Sequence, residues 1–389
     1  MSSSTTSSDA RRFRRVFLGL LTFGALSIAA ADILADPFDL GFEASSERLS
    51  PHREHGSRTA KAAIPWRLGC GALLMGTSRT EAGFKSDGIL SGKNPVNLAL
   101  SMTNVVELEY VLNHALEWCN PSTIIMESSF LMFGGTRTTS QDFTQSPFNP
   151  ELDATEFWLA SILGRRAIRQ SIEVVRKLVR GELSSVDTRG FLAKRVRTSS
   201  KQATERVLKS FFTNPKTYYD FTLSQARLVS FERMLSSAQF RGVAIEVFIP
   251  PMHALQLEAI RVAGLWDQFE AWKESMAQIG DRTGVPIHDF ADGSAILAEP
   301  LSESLDAPTK WFFESSHFKP VLGEKVLARI VLDRPDPELP GSLLTVDSAR
   351  SNLDALRARQ RLYASSHPSE TKWVQELYSE AMAEKVNGR

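Results

Sequence analysis

Cysteine is nearly absent: Cys70 and Cys119 are the only two in 389 residues. A pair is too few for the disulfide framework of a small secreted scaffold. One bond between them is allowed, but cysteines in apolar surroundings are more often buried thiols, so the redox compartment stays open. Net charge is missing as well. Lys plus Arg and Asp plus Glu both number 45, which argues against a nucleic-acid partner held by bulk phosphate neutralisation. Metal-ligand spacing is also lacking. His52 and His55 sit three apart in a polar stretch without a Cys or carboxylate cage, so they read as solvated loop residues and no metal is expected. No internal repeat and no sustained heptad run is present, which excludes a solenoid or a coiled coil.

What is present begins at the N-terminus. Met1 to Ala10 is Ser/Thr-rich and reads as disordered. Arg11, Arg12, Arg14 and Arg15 then precede an apolar run from Val16 to Ala31, the pattern of a secretory signal or signal anchor. The positive-inside rule leaves residues 1–35 as a cytoplasmic tip plus signal segment and sends the rest across the membrane. The run is short beside the roughly 20 residues of a spanning helix. It extends through Ile33, Leu34 and Ala35 only by burying Asp32, while Ala29-Ala30-Ala31 offers small residues for cleavage. Both outcomes stay open: an inner-membrane anchor facing the periplasm, or a cleaved, periplasmic or secreted protein.

Hydrophobic residues make up 42% of the chain, enough to bury a sizeable core. Residues 36–63 are polar and carry Pro37 and Pro51, so they read as a linker or arm. Gly71-Ala-Leu-Leu-Met-Gly76 and Thr123-Ile-Ile-Met126 are short apolar runs suited to fully buried strands, and Val96 to Ala99 is another apolar stretch. Between them, Asn104 to Trp118 has helical spacing and ends at Asn120-Pro121. That order is the βαβ grammar of a parallel sheet. Glu156 to Arg180 reads as one long basic helix, and Lys194 to Phe212 continues the basic composition, so about 140–220 reads as a helical insert. Leu223 to Phe240 reads as a helix, Val243 to Ile249 as a strand, and His253 to Val262 and Trp266 to Ile279 as helices. Val285 to Phe290 reads as a strand and Glu324 to Val331 as a closing helix. Residues 336–389 read as a charged helical extension, broken near Pro368.

In an open parallel sheet, functional groups collect past the carboxyl ends of strands. Ser78, in Gly76-Thr77-Ser78-Arg79, lies there after the first buried strand. A serine on such a turn either exposes its hydroxyl under helix N-terminal amides or caps the following helix. Glu314-Ser-Ser-His317 supplies the complementary parts. An acid three residues before a histidine can fix the imidazole tautomer while the ring faces a nucleophile; the alternative is an exposed loop histidine near a surface carboxylate.

Taken together, Gly76-Thr77-Ser78-Arg79, Asn97-Leu-Ala-Leu100, Phe248-Ile-Pro-Pro-Met-His253 and Glu314-Ser-Ser-His317-Phe318 resemble the blocks of the SGNH/GDSL-type hydrolases. The likeness is nearest to their exported, membrane-tethered branch, which includes acyltransferases and esterases of exopolysaccharide or cell-envelope polymers. It covers residues 70 to 135 and 240 to 332. The resemblance implies a three-layer αβα domain over 64–335 with a parallel, flavodoxin-like sheet and no cofactor. It makes Ser78 the nucleophile, His317 the base and Glu314 the orienting acid, where the family usually has Asp.

Two blocks depart from the family pattern. Ser101-Met102 stands where a glycine after the block Asn, here Asn97, gives its amide to the oxyanion hole. The Asn of the third block is missing, and Glu127-Ser128-Ser129-Phe130 occupies that loop, with Ser128 or Ser129 as a stand-in donor. Arg79 adjoins the nucleophile, and His253 is expected to face the same cleft edge as an auxiliary residue. The implied activity is hydrolysis or transfer of acyl, chiefly acetyl, esters on an envelope or secreted polysaccharide. The alternative is a non-catalytic polysaccharide-binding or assembly protein with a degenerate site.

Overall fold

A computed structural model describes residues 5–194 and 196–387. The expected disorder of residues 1–4 lies outside the described residues, whereas Thr5 to Ala10 are helical. They open a single helix, Thr5–Ala35. Its segment Asp9–Ala35 is long and apolar enough to cross a membrane, with an 18-residue window of mean hydropathy 2.0. The helix runs through Asp32, which is buried at its C-terminal end.

Six strands form the main sheet: β1 (Ala72–Met75), β2 (Pro95–Asn97), β3 (Thr123–Glu127), β4 (Ile245–Ile249), β5 (Ile287–Asp289) and β8 (Ser342–Leu343). Their order is β2-β1-β3-β4-β5-β8. The first five are parallel and β8 is antiparallel to β5. All four residues of β1 are fully buried, as expected of a parallel strand covered on both faces. Helices flank the sheet and make the chain α/β. A separate antiparallel hairpin, β6 (Phe312–Glu314) with β7 (His317–Phe318), carries the histidine motif, so Glu314 and His317 face each other across a two-residue turn rather than lying on a loop.

Several expectations are corrected. Cys70 and Cys119 are not free thiols; they form a disulfide with a Cα–Cα distance of 5.6 Å, joining the start of β1 to the end of the helix Val105–Trp118. Residues 36–63 are not a loose arm. Asp36 accepts hydrogen bonds from the Leu40 and Gly41 amides at 2.7 and 2.9 Å, Asp39 pairs with Arg53 at 2.6 Å, and the helix Arg58–Leu68 begins inside the stretch. His52 and His55 are buried, donating to the carbonyls of Glu182 and Val186 at 2.6 and 3.0 Å. The expected long helix from Glu156 is two helices, Ala154–Leu163 and Arg165–Arg180, meeting at an extended Gly164. The C-terminal stretch also does more than extend the domain, because β8 completes the sheet edge and the helices Val346–Ser366 and Pro368–Asn387 pack on other helices of the domain.

Candidate active site

Ser78 follows β1, which has β2 on one side and β3 on the other, so the serine stands at the point where the strand order reverses. The helix Ser78–Gly83 is capped by Thr77, whose hydroxyl accepts the Arg79 amide at 3.3 Å. Capping therefore does not occupy Ser78, which is partly exposed while its neighbours from Ala72 to Thr77 and at Arg79 and Thr80 are buried. Gly76 is required one turn earlier: its φ is +154° and a Cβ there would stand 2.4 Å from Glu127 Cβ.

Close approach at Gly76 brings in Glu127, a fully buried carboxylate at the end of β3. It accepts from Thr77 N–H at 2.8 Å, Thr77 Oγ1 at 2.7 Å, Thr80 Oγ1 at 2.7 Å and Thr80 N–H at 3.3 Å. These four bonds satisfy a charge that would otherwise be costly to bury, and they fix the turn around Ser78.

The His317 ring reaches the serine from the hairpin. Its Nε2 lies 2.8 Å from Ser78 Oγ, and its Nδ1 is bonded to Glu314 Oε1. With Nδ1–H directed to the carboxylate, Nε2 is left to accept the serine proton. Glu314 is buried, which by itself raises its pKa. The His317 ring, the Lys194 charge and the Ser316 amide outweigh that and hold the carboxyl down at about 2. Lys194 Nζ lies 3.4 Å from Glu314 Oε1, and the Ser316 N–H donates to Oε2 at 2.7 Å. The turn is clamped further by Ser315, whose N–H donates to Thr204 Oγ1 and whose hydroxyl donates to Gln256, both at 3.1 Å. Arg79 Nε donates to the Ser316 carbonyl at 2.9 Å, tying the serine helix directly to the histidine turn.

The remaining candidates divide. Ser101 and Met102 lie in the turn beyond β2, held beside the serine turn by the Leu100 amide on the Gly76 carbonyl at 2.9 Å. Met102 takes the left-handed backbone conformation, φ +61°, that a glycine would adopt without strain. Among the described residues the Ser101 and Met102 amides donate to no backbone carbonyl. The Met102 carbonyl is held at 3.0 Å by Arg137, a buried arginine whose guanidinium is pushed down to about 10 by burial and by the nearby Arg79 charge. Asn97 is fully buried and engaged, donating to the Thr80 carbonyl at 3.1 Å and accepting from the Ala99 amide at 3.0 Å; it braces the helix that carries Ser78. The Ser128 hydroxyl is turned into the core against Met276 Sδ at 3.1 Å, so it is not aimed at an oxyanion, and Ser129 Oγ is buried. His253 is a structural cap, not a cleft residue. Its Nδ1 accepts from the Leu255 amide at 3.1 Å and its Nε2 donates to the Glu299 carbonyl at 2.8 Å, while burial lowers its pKa and keeps it neutral.

Sequence reasoning missed Glu127, Lys194 and Arg137. Only Glu127 left a signal, as an acid directly after the apolar run of β3 at the carboxyl edge of the sheet. Beside His317 and Glu314 opens a cleft of about 370 Å3, walled by Phe313 and by Lys194, Arg197 and Arg206 of the insert.

No family model and no curated protein matches this chain.

Proposed function

We propose that the protein is an exported serine esterase or O-acetyltransferase of the SGNH type, acting on acyl esters of an envelope or secreted polysaccharide. The observation that carries this reading is the 2.8 Å approach of Ser78 Oγ to His317 Nε2 with Glu314 on the other ring nitrogen. The five parallel strands in the order 2-1-3-4-5 support the finer description of a flavodoxin-like sheet. The long apolar N-terminal helix and the disulfide both support a site outside the cytoplasm.

In the first half-reaction the Ser78 hydroxyl proton passes to His317 Nε2 as Oγ attacks the ester carbonyl carbon. The tetrahedral oxyanion meets the Ser78 N–H, which has no intrahelical acceptor at the first position of its helix, and the free amides of Ser101 and Met102. Collapse breaks the bond to the alcohol, which takes the proton from His317, and leaves the acyl group on Ser78. Water or a sugar hydroxyl then gives its proton to His317 and attacks the acyl carbon, and collapse breaks the bond to Ser78 Oγ, which takes that proton back. Glu314, ionised throughout, keeps the ring in the tautomer both halves need.

The test is hydrolysis of a small acetyl ester by the purified full chain and by Ser78→Ala. Loss of the rate in the variant supports the reading, and equal rates sink it. One observation favours a non-catalytic polysaccharide-binding protein instead: Ser128, in the third-block loop, turns its hydroxyl away toward Met276. A fluorophosphonate probe separates the two, since covalent labelling of Ser78 requires an activated nucleophile, and glycan binding without labelling favours the second reading.

A further inference from the structure

The helix Arg165–Arg180 buries Ala167, Ser171 and Val174 against the domain. A second apolar stripe lies beside that one, at Ile168, Ile172, Val175 and Val179, following the helical spacing of three and four. It is uncovered, with Ile172 56%, Val175 49% and Val179 81% exposed. At about 100° per residue, Arg165, Arg169, Arg176 and Arg180 stand along the far edge of this stripe, and all four are exposed. The preceding helix Ala154–Leu163 adds exposed Trp158, Leu159 and Leu163. The helix Thr5–Ala35 packs against these same two helices, and its buried residues Asp32 and Ala35 lie at its C-terminal end.

We propose that this face lies in the outer leaflet of the bilayer crossed by Thr5–Ala35, with the arginine edge among anionic headgroups. The proposal rests on that helix being kept as an anchor. Counting from the Arg11–Arg15 cluster at the inner boundary, about 20 residues at ~1.5 Å each cover the ~30 Å hydrocarbon core. Asp32 and Ala35 therefore emerge at the outer boundary, the level at which the two helices meet the anchor. An apolar stripe bordered by arginines is the pattern of a helix lying in the interface plane, and Trp158 suits the same depth. A second copy fits less well, since a two-fold pairing sets the arginine edge against itself.

The experiment uses the full chain with Val179→Cys, where the native cysteines are already bonded to each other. The new thiol carries a fluorophore, and the protein is placed in nanodiscs of phosphatidylcholine and phosphatidylglycerol containing a lipid with a nitroxide near the headgroup. Val346→Cys, exposed at the start of the helix Val346–Ser366, is the reference site. The expected result is several-fold stronger lipid quenching at 179 than at 346, increasing with phosphatidylglycerol content. Equal quenching at the two sites in discs that hold the chain overturns the proposal and leaves the anchor standing. Failure of the chain to enter discs overturns both. Shielding of the 179 label from iodide without lipid quenching assigns the face to a second copy and also overturns it.

Discussion

Glu127 holds Thr77 by accepting two hydrogen bonds, one from its amide at 2.8 Å and one from its hydroxyl at 2.7 Å, so a residue at the end of β3 sets the position of the serine after β1. Glu127→Gln keeps the shape but turns an amide N–H2 toward hydroxyl and amide donors, so at least one bond is lost. Displacing a nucleophile by about 1 Å can cost on the order of 10² in rate. We expect kcat for a small acetyl ester to fall ~10–100-fold with KM little changed, and labelling of Ser78 by a fluorophosphonate to slow in parallel. Wild-type kcat in a folded variant would refute the positioning role.

The pH profile tests the ionisation of Glu314. With its carboxyl held at about 2, Glu314 stays ionised across the working range. Titration of Glu314 therefore places no acid limb in kcat/KM above about pH 3. An acid limb near the ordinary glutamate value of about 4.3 would contradict this. Glu314→Gln should lower kcat by about 10²–10⁴ through loss of the productive tautomer, with KM nearly unchanged.

Acid stability should depend on Asp39. Burial raises its pKa, but His55, Arg67 and Arg53 outweigh that and bring it to about 2 from an ordinary 3.8. A carboxyl depressed in the folded state stabilises above its unfolded value, and that contribution drains away as pH falls through the folded value. The contribution is about 2 kcal/mol. Urea titrations of wild type and Asp39→Asn should therefore show a wild-type advantage that shrinks by about this amount between roughly pH 5 and pH 2. A constant difference across that window would exclude the linkage.

Breaking the Cys70–Cys119 bond should weaken the fold while sparing the chemistry. The bridge sits at the amino end of β1 and Ser78 lies past its carboxyl end. The Cys70→Ser, Cys119→Ser double variant is expected to lose about 2–5 kcal/mol in chemical denaturation. It should retain its ester-hydrolysis rate at low temperature, and an equal loss of rate and stability would show the two ends to be coupled.

The parts of this fold legible in the sequence are those with a local physical signature. β1, β3 and β4 are buried on both faces and so read as short apolar runs, and Ser78 lies past a strand end, where functional groups gather. The illegible parts depend on neighbours distant in the chain. Glu127 reaches Thr77 because Leu74 and Met75 register with Ile125 and Met126, and Lys194 reaches Glu314 across a fold the sequence does not draw. Residues 36–63 misled for a different reason: Asp36, Asp39 and Arg53 look solvent-seeking singly, yet they satisfy one another when buried. His253 looked like cleft chemistry because a histidine after Pro250-Pro251 at a strand end has the same signature whether it caps a helix or faces a substrate.

β8 is only two residues long, yet it covers the outer edge of β5 and belongs to the final fifty residues of the chain. Ribosomes deliver those residues after every residue of the site. Every residue of the serine–histidine site is thus synthesised while the border of β5 is still open, a surface on which another nascent polypeptide can add a strand. A message truncated after residue 335 would encode all of the candidate chemistry and leave that border of β5 without its covering strand.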